Sequence, residues 1–349
     1  MTNSGPEKTP YIDKIIKEYL RGLNSFYPGI RLIGRYSLFS GEQPYNCRLN
    51  LTLRNSNVEG TDYASTDQKY LIHYTSSLQN LFNILNSGFL RLSNLSSLND
   101  PQELLYMAKE INWIETSQLN LFRKSFHSVS FCGIHNLAQP DKFPMWRLYG
   151  GDGYGAAIVF EILNPNTDWH KYMLARIQYG NSAERDKYID FLRFHSQFQI
   201  ENNRPITNLP EAVFAFMGMH KNDIWNYEEE IRLISHYEYE EHSLEPKTAQ
   251  NQAAKLRHSI GQNGNPYSYL ELPLFGSTKY IELEKFYNNN GVKDNFIKSL
   301  PILKINKVVL GYRHSLETLL DCESIISNVS NNYKHDIEII NSYLKEYMK

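Results

Sequence analysis

Apolar positions along the chain change their period several times, and each change marks an element. Ile12, Ile15, Ile16, Tyr19, Leu20 and Leu23 recur at three- and four-residue steps, which predicts a helix closed by Pro28 and Gly29. The ten residues before it carry no such pattern and read as unstructured. Leu49, Leu51 and Leu53 alternate with polar residues and predict a half-buried strand, followed by a polar, loop-like stretch from Asn55 to Gln68. A boundary is therefore expected near residue 65, between an N-terminal helix-and-strand extension (1–65) and an α+β domain (66–349) that is the possible catalytic core.

From residue 70 the signals sharpen. Residues 70–74 predict a strand, Ser76 or Ser77 caps a helix carrying Leu78, Leu81, Phe82 and Leu85, and Gly88 closes it. Strands are expected at 89–92, 128–132, 156–162, 231–234, 280–283, 302–310 and 337–340. Asp100 and Pro101 open a second helix, residues 183–222 read as helical with breaks at Pro205 and Pro210, and a further helix is expected over 315–326. Strands and helices do not alternate regularly, so the pattern points to an α+β fold and away from a doubly wound sheet.

Composition narrows the setting. The 349 residues, 41% hydrophobic and 21% charged, are ordinary globular material. A net charge of −2 provides no global field for nucleic acid or an anionic membrane, though a local basic groove stays open. The three cysteines, Cys47, Cys132 and Cys322, are odd in number and far apart, which argues against a disulfide framework and a zinc site. No stretch approaches the roughly 18 apolar residues of a membrane span, and MTNSGPEKTP is no signal segment, so a cytoplasmic protein with free thiols and no membrane partner is expected. The 25 tyrosines suit half-buried sites that stack on rings.

Four stretches carry candidate chemistry. His73 ends a strand directly before a capped helix, where side chains and amide donors are exposed together; packing against the sheet is its plainer explanation. Asn99, Asp100, Pro101, Gln102 and Glu103 read as a helix cap with a capping-box return from Glu103. The run from Pro144 to Ala156 is aromatic and glycine-rich. Its nominal GxGxxA lacks the preceding strand that a dinucleotide fold requires, and Trp146 and Tyr149, three apart, form either an aromatic wall or core. In the last run, a strand over 227–234 would set Glu228, Glu230 and Arg232 on one face. Neighbouring carboxylates raise each other's pKa unless a cation such as Arg232 offsets them; a solvated ion-pair ladder is the alternative. Glu238, Glu240, Glu241 and Glu245 read as solvated surface.

Taken in order, these stretches resemble the bacterial family of unknown function DUF2971. The shared features are His73-Tyr74-Thr75, Asn99 to Glu103, Trp146 before its glycine-rich turn, and Trp225-x-x-Glu228-x-Glu230-x-Arg232. The resemblance spans about residues 70–311. The opening segment, with Ile84 to Leu90, also resembles that of ADP-ribosyltransferases, with His73 on an early strand, Tyr149 or Tyr154 further on, and Glu230 late within E-x-E.

This second resemblance implies an ADP-ribosyltransferase-like split β-sheet core with flanking helices and NAD as the substrate. It also implies an unknown acceptor, nucleic acid or protein, as for a toxin or anti-phage defence effector. Glu230 would stabilise the charged ribose and Glu228 would orient or deprotonate the acceptor. His73, with Thr75, would donate to a ribose hydroxyl, Trp146 or Tyr149 would stack on nicotinamide, and Arg232 would meet a phosphate or pair with Glu228. No resident metal is expected. Three alternatives stand beside this reading: an NAD glycohydrolase with the same residues, a Mg²⁺-dependent nuclease or phosphodiesterase using Asp100, Glu103, Glu228 and Glu230, and a non-catalytic ligand-binding module.

Overall fold

A ten-stranded sheet runs through the centre of the chain. The computed structural model describes residues 8–32, 37–39, 46–49, 51–65, 68–96, 105–110, 116–134, 136–202, 211–237, 255–260, 264, 266–289 and 300–347.

Helix α1 (Lys8–Phe26) precedes a small antiparallel pair, β1 (Ser37–Phe39) and β2 (Asn46–Arg48). Next come β3 (Tyr70–Thr75), α2 (Leu78–Ser87) and β4 (Phe89–Asn94), then the short helices α3 (Leu105–Glu110) and α4 (Thr116–Ser125). Strand β5 (Phe126–Gly133), helix α5 (Phe143–Leu148) and strand β6 (Ala156–Ile162) lead to β7 (Tyr172–Arg176) and β8 (Gln178–Tyr179). Helices α6 (Ala183–Glu201) and α7 (Glu211–Met217) precede β9 (His220–Lys221) and β10 (Glu230–His236). The chain ends with β11 (Lys255–Ile260), β12 (Pro266–Pro273), α8 (Thr278–Asn289), β13 (Leu303–Leu310), α9 (Leu316–Ser330) and β14 (Glu338–Asn341). The arrangement is α+β: an almost wholly antiparallel sheet flanked by helices.

The sheet is divided at β5. One edge of β5 pairs along its length with β10, from His236 opposite Phe126 to Glu230 opposite Cys132. The other edge serves two strands in turn. Ser93 and Asn94 of β4 meet Ser128 and His127 near its start, while Leu71 and Ile72 of β3 meet Gly133 and Cys132 near its end. Between these contacts β3 and β4 part, and among the described residues 129–131 of β5 have strand partners only in β10.

Alternation along the strands sorts the core into layers. Leu71, Phe131, Ile158, Phe160 and Ile231 pack on one side with Leu81 and Leu85 of α2. Ile72, Tyr74, Cys132, Val159 and Val309 face the other side with Met145 and Trp146 of α5. A third cluster joins Ile12, Tyr19 and Leu23 of α1, Leu49, Leu51 and Leu53, α7, and Met173 and Ala175 of β7. Emptying such a site, as in Phe160→Ala, costs about 3–5 kcal/mol. Ser77 caps α2 by accepting the Asn80 N–H, and Gly88 ends it at φ 71°. No helix among the described residues is long and apolar enough to cross a membrane.

Several expectations change on contact with the fold. Leu49, Leu51 and Leu53 are buried as their alternation implied, but the described residues there form no strand: the Leu51 and Leu53 carbonyls take single bonds from the Ala212 and Lys171 amides. Residues 280–283 lie inside α8. Ser277 accepts the Tyr280 N–H, and Tyr280 and Tyr287 face the core seven apart, a helical spacing. Helix α1 begins at Lys8, within the stretch expected to be unstructured, and 227–229 precede β10 instead of extending it. The Asn99 to Glu103 cap and Glu238 to Glu245 lie outside the described residues.

Candidate functional site

Glu228 and Glu230 come together through a turn, not through strand alternation. Residues Asp223–Glu228 form a 3-10 helix, Glu229 adopts the left-handed conformation at φ 44°, and β10 starts at Glu230. The alternative of a solvated ion-pair ladder does not hold: Glu228, Glu230 and Arg232 are 2%, 4% and 1% exposed. Burying an ionised side chain is costly unless opposite charges and hydrogen bonds compensate.

The compensation is complete in charge. Lys221 of β9, also buried, reaches both carboxylates, with its Nζ 3.0 Å from Glu228 Oε2 and 2.7 Å from Glu230 Oε2. Arg232 approaches Glu230 Oε1 through Nε at 2.9 Å and a terminal nitrogen at 2.8 Å, and donates to the Gly218 carbonyl at 2.8 Å. Ser130 Oγ donates to the same oxygen, the Tyr149 hydroxyl donates to Glu228, and the Glu230 amide donates to the Tyr179 hydroxyl. Burial alone would push the Glu230 carboxyl up, but Arg232 and then Lys221 outweigh it and hold the pKa well below the ordinary range. Arg232 thus offsets the mutual repulsion from the position its place in the run suggested, and Lys221 adds to the offset. Burial holds the Tyr149 hydroxyl protonated, with its bond to Glu228 acting the same way, and burial pushes the adjacent Cys132 thiol up to about 12.

Alternation along β3 puts Ile72 and Tyr74 on the side of Trp146, and His73 and Thr75 on the opposite side, with Leu71. His73 packs edge-on against Phe131, at 6.0 Å between ring centroids, and its Nδ1 lies 3.0 Å from the Ser130 carbonyl oxygen. A carbonyl only accepts, so Nδ1 carries the proton. Burial lowers the His73 pKa, with the Ser130 bond opposing. The neutral ring then offers Nε2 as an acceptor, which replaces the donor role expected for it. Thr75 is spent structurally: its hydroxyl donates to the Ala156 and Ser77 carbonyls.

Ser130 is where the two halves of the candidate site meet. It is the one exposed residue of β5 and lies where β3 and β4 part. Its carbonyl takes His73 and its hydroxyl takes Glu230, so the two are joined through one residue without touching.

The aromatic wall is only half present. Trp146 is fully buried, with its indole N–H on Asp141 at 2.7 Å and its ring edge-on to Tyr74, so it is core. Tyr149, the residue that caps α5, is half-buried over Glu228, while Tyr154 is 57% exposed beyond the glycine turn. Arg232 is enclosed and pairs with Glu230, not Glu228. Among the described residues no group of three or more His, Cys, Asp or Glu side chains is arranged to hold a metal ion; Asp100 and Glu103 lie outside them.

Residues 145–233 match the family described as a protein of unknown function, DUF2971. The matched segment runs from Met145 in α5 to Leu233 in β10, so it includes Trp146, Tyr149, Glu228, Glu230 and Arg232 and leaves His73 and Thr75 outside. No curated protein and no solved structure matches the chain.

Two participants carried no assigned role in the sequence. Lys221, seven residues before Glu228, looks like surface until the 3-10 helix folds it back. Ser130, flanked by Val129 and Phe131, is the sole polar residue between His127-Ser128 and Gly133, a modest signal for a side chain with a polar task.

Proposed function

We propose that the chain is an ADP-ribosyltransferase-like enzyme that uses NAD to modify an acceptor, with Glu230 as its charged centre. The observation that carries this reading is Ser130, which is exposed where the sheet divides and holds both His73 and Glu230. A nicotinamide riboside lying there would displace the Ser130 hydroxyl and take its place on the Glu230 carboxylate.

The chemistry asks for such a group. Breaking the bond between ribose and nicotinamide sends the electron pair to the departing ring and leaves an oxocarbenium-like sugar. A preorganised anion stabilises that charge most where it is greatest. Glu230 suits the task because Arg232 and Lys221 keep it ionised although buried. Glu228 would receive the acceptor's proton as the acceptor bonds to the ribose carbon. Tyr149 would flank the ring, and His73, on the other side of the sheet, would accept from a ribose hydroxyl only where the gap between β3 and β4 lets the ligand reach its Nε2. Water as the acceptor gives an NAD glycohydrolase with the same residues.

A second reading has its own support. Glu230 is already matched by two cations, as in a structural brace, and the protein would then be a non-catalytic binding module. Incubation with NAD, alone and with RNA, DNA or lysate, separates them by nicotinamide release. On the enzyme reading, wild type releases nicotinamide and Glu230→Gln loses on the order of a hundredfold or more. Because that variant can lose stability, Ser130→Phe is tested too: it blocks the opening from an exposed position, and circular dichroism verifies its fold. No release by wild type under any condition overturns the enzyme reading.

A further inference from the structure

Beyond Tyr149, the chain makes a turn whose backbone is left-handed at Gly151, Asp152 and Gly153, with φ of 58°, 54° and 85°. The turn is fastened to the segment after β13. The Arg313 and Gly311 amides donate to the Gly153 and Gly155 carbonyls at 3.1 Å, and a Cβ on Gly311 would lie 2.2 Å from the Gly153 oxygen. Glycine is required where backbones approach this closely.

On this rigid base sits a cluster of rings and guanidinium groups in which Tyr154, Phe143 and both arginines are open to solvent while Tyr312 is buried. The Arg313 guanidinium lies 5.3 Å from the Tyr154 ring centroid and 5.9 Å from that of Tyr312, and Phe143 packs on Tyr312 at 6.0 Å. Asp152 sits between two arginines, 2.9 Å from Arg147 Nε and 3.0 Å from a terminal nitrogen of Arg313. One carboxylate against two guanidiniums leaves a net positive charge, and the arginine side chains stay 57% and 40% exposed. Each keeps N–H donors beyond those that Asp152 takes.

We propose that this surface binds single-stranded nucleic acid, with a base stacked at Tyr154 and the backbone phosphates on Arg313 and Arg147. Unpaired bases stack on aromatic side chains and arginine planes, and paired duplex bases cannot. Charge complementarity favours a phosphate-bearing partner, and the rings favour one with free bases. The surface adjoins the candidate site through α5 and Tyr149. Under the NAD-transferase reading, on which this step rests, the bound strand is the acceptor.

The test is fluorescence anisotropy of a labelled twelve-nucleotide single strand, DNA and RNA, with the full chain and no NAD present. Expected is binding to the single strand that exceeds binding to the same sequence as duplex. Tyr154→Ala and Arg313→Ala should each weaken it at least about fivefold, while Lys279→Ala on α8 leaves it unchanged. Arg313→Ala should also flatten the dependence of log affinity on log salt by about 0.7. A wild type that binds no strand at low salt, prefers duplex, or binds equally after both substitutions overturns the proposal. A strand that binds but is not modified when NAD is added removes the acceptor role and leaves the surface. Absence of nicotinamide release is scored separately, since binding is measured without NAD.

Discussion

Two carboxylates in this protein are each held between two cations, one set buried and balanced because its lysine also pairs with Glu228, the other exposed and net positive. Glu230 lies between Arg232 and Lys221, all three enclosed. Asp152 lies between Arg147 and Arg313, with side chains 40% to 57% exposed. In the first case water cannot take over a lost partner; in the second it can at once. The buried set therefore fixes a charge state, and the exposed set fixes a direction while leaving its cations open to a ligand.

The sharpest way to break this comparison is Glu230→Ala. It leaves Arg232 without a counter-charge in a dry site and should cost about 3–5 kcal/mol in urea unfolding. The double variant Glu230→Leu with Arg232→Met should recover much of that loss, because a matched apolar pair needs no compensation. A cost below about 1 kcal/mol for Glu230→Ala, the range of exposed pairs, would mean the two sets do not differ.

Acid should separate them next. A depressed folded pKa means that the unfolded chain binds the proton more readily, so the stability from Glu230 is present above the ordinary carboxylate value near 4.5 and is lost as pH falls below it. Three histidines, His127 and His220 buried and His195 half-buried, act earlier with the same sign. Burial lowers His127 and His195 to about 4 and His220 to about 3, against an ordinary 6.5. Each then removes up to about 1.4 kcal/mol per pH unit as pH falls below 6.5. Melting temperatures should therefore decline from pH 6.5 downward, and less steeply in His195→Gln; a flat profile to pH 5 would contradict the burial of these rings.

How much of this was legible in the sequence follows from the range of the forces involved. Strands β3, β5, β6 and β13 and the capped helix α2 were readable because alternation, β-branched runs, Ser77 and Gly88 act locally. The pairing of Glu228 with Glu230 was anticipated, but for the wrong reason. A left-handed Glu229 has no sequence mark, and Lys221 enters only after the 3-10 helix turns the chain. Composition likewise could not say which face of β3 a residue takes relative to α5, so His73 and Trp146 were assigned to one site although the sheet lies between them. Strands β7, β11 and β12 went unread although β12 is as long as β5, and α8 was mistaken for a strand because Tyr280, Ile281 and Leu283 suit either period.

A smaller effect is expected at the border of the buried set. Tyr149→Phe removes one donor from Glu228 but leaves Lys221 in place, and the ring is only half-buried, so a loss of about 1 kcal/mol is expected in thermal unfolding. Nicotinamide release falling by much more than that loss explains would set Tyr149 beside the substrate. A fall that merely tracks stability would return it to the brace.

The smallest effect on stability belongs to the exposed set, and it is the most discriminating. Asp152→Asn removes the charge between the arginines while keeping a side chain that tolerates the φ of 54° found there. Two exposed ion pairs are worth little, so unfolding should shift by no more than about 0.5 kcal/mol. The arginines, however, lose their competitor for phosphate. If they are open to a strand, affinity should rise and its salt dependence should steepen, opposite in sign to Arg313→Ala. If Asp152 instead aims the two guanidiniums, affinity falls, and the exposed carboxylate then shares with Glu230 the task of holding charge in place.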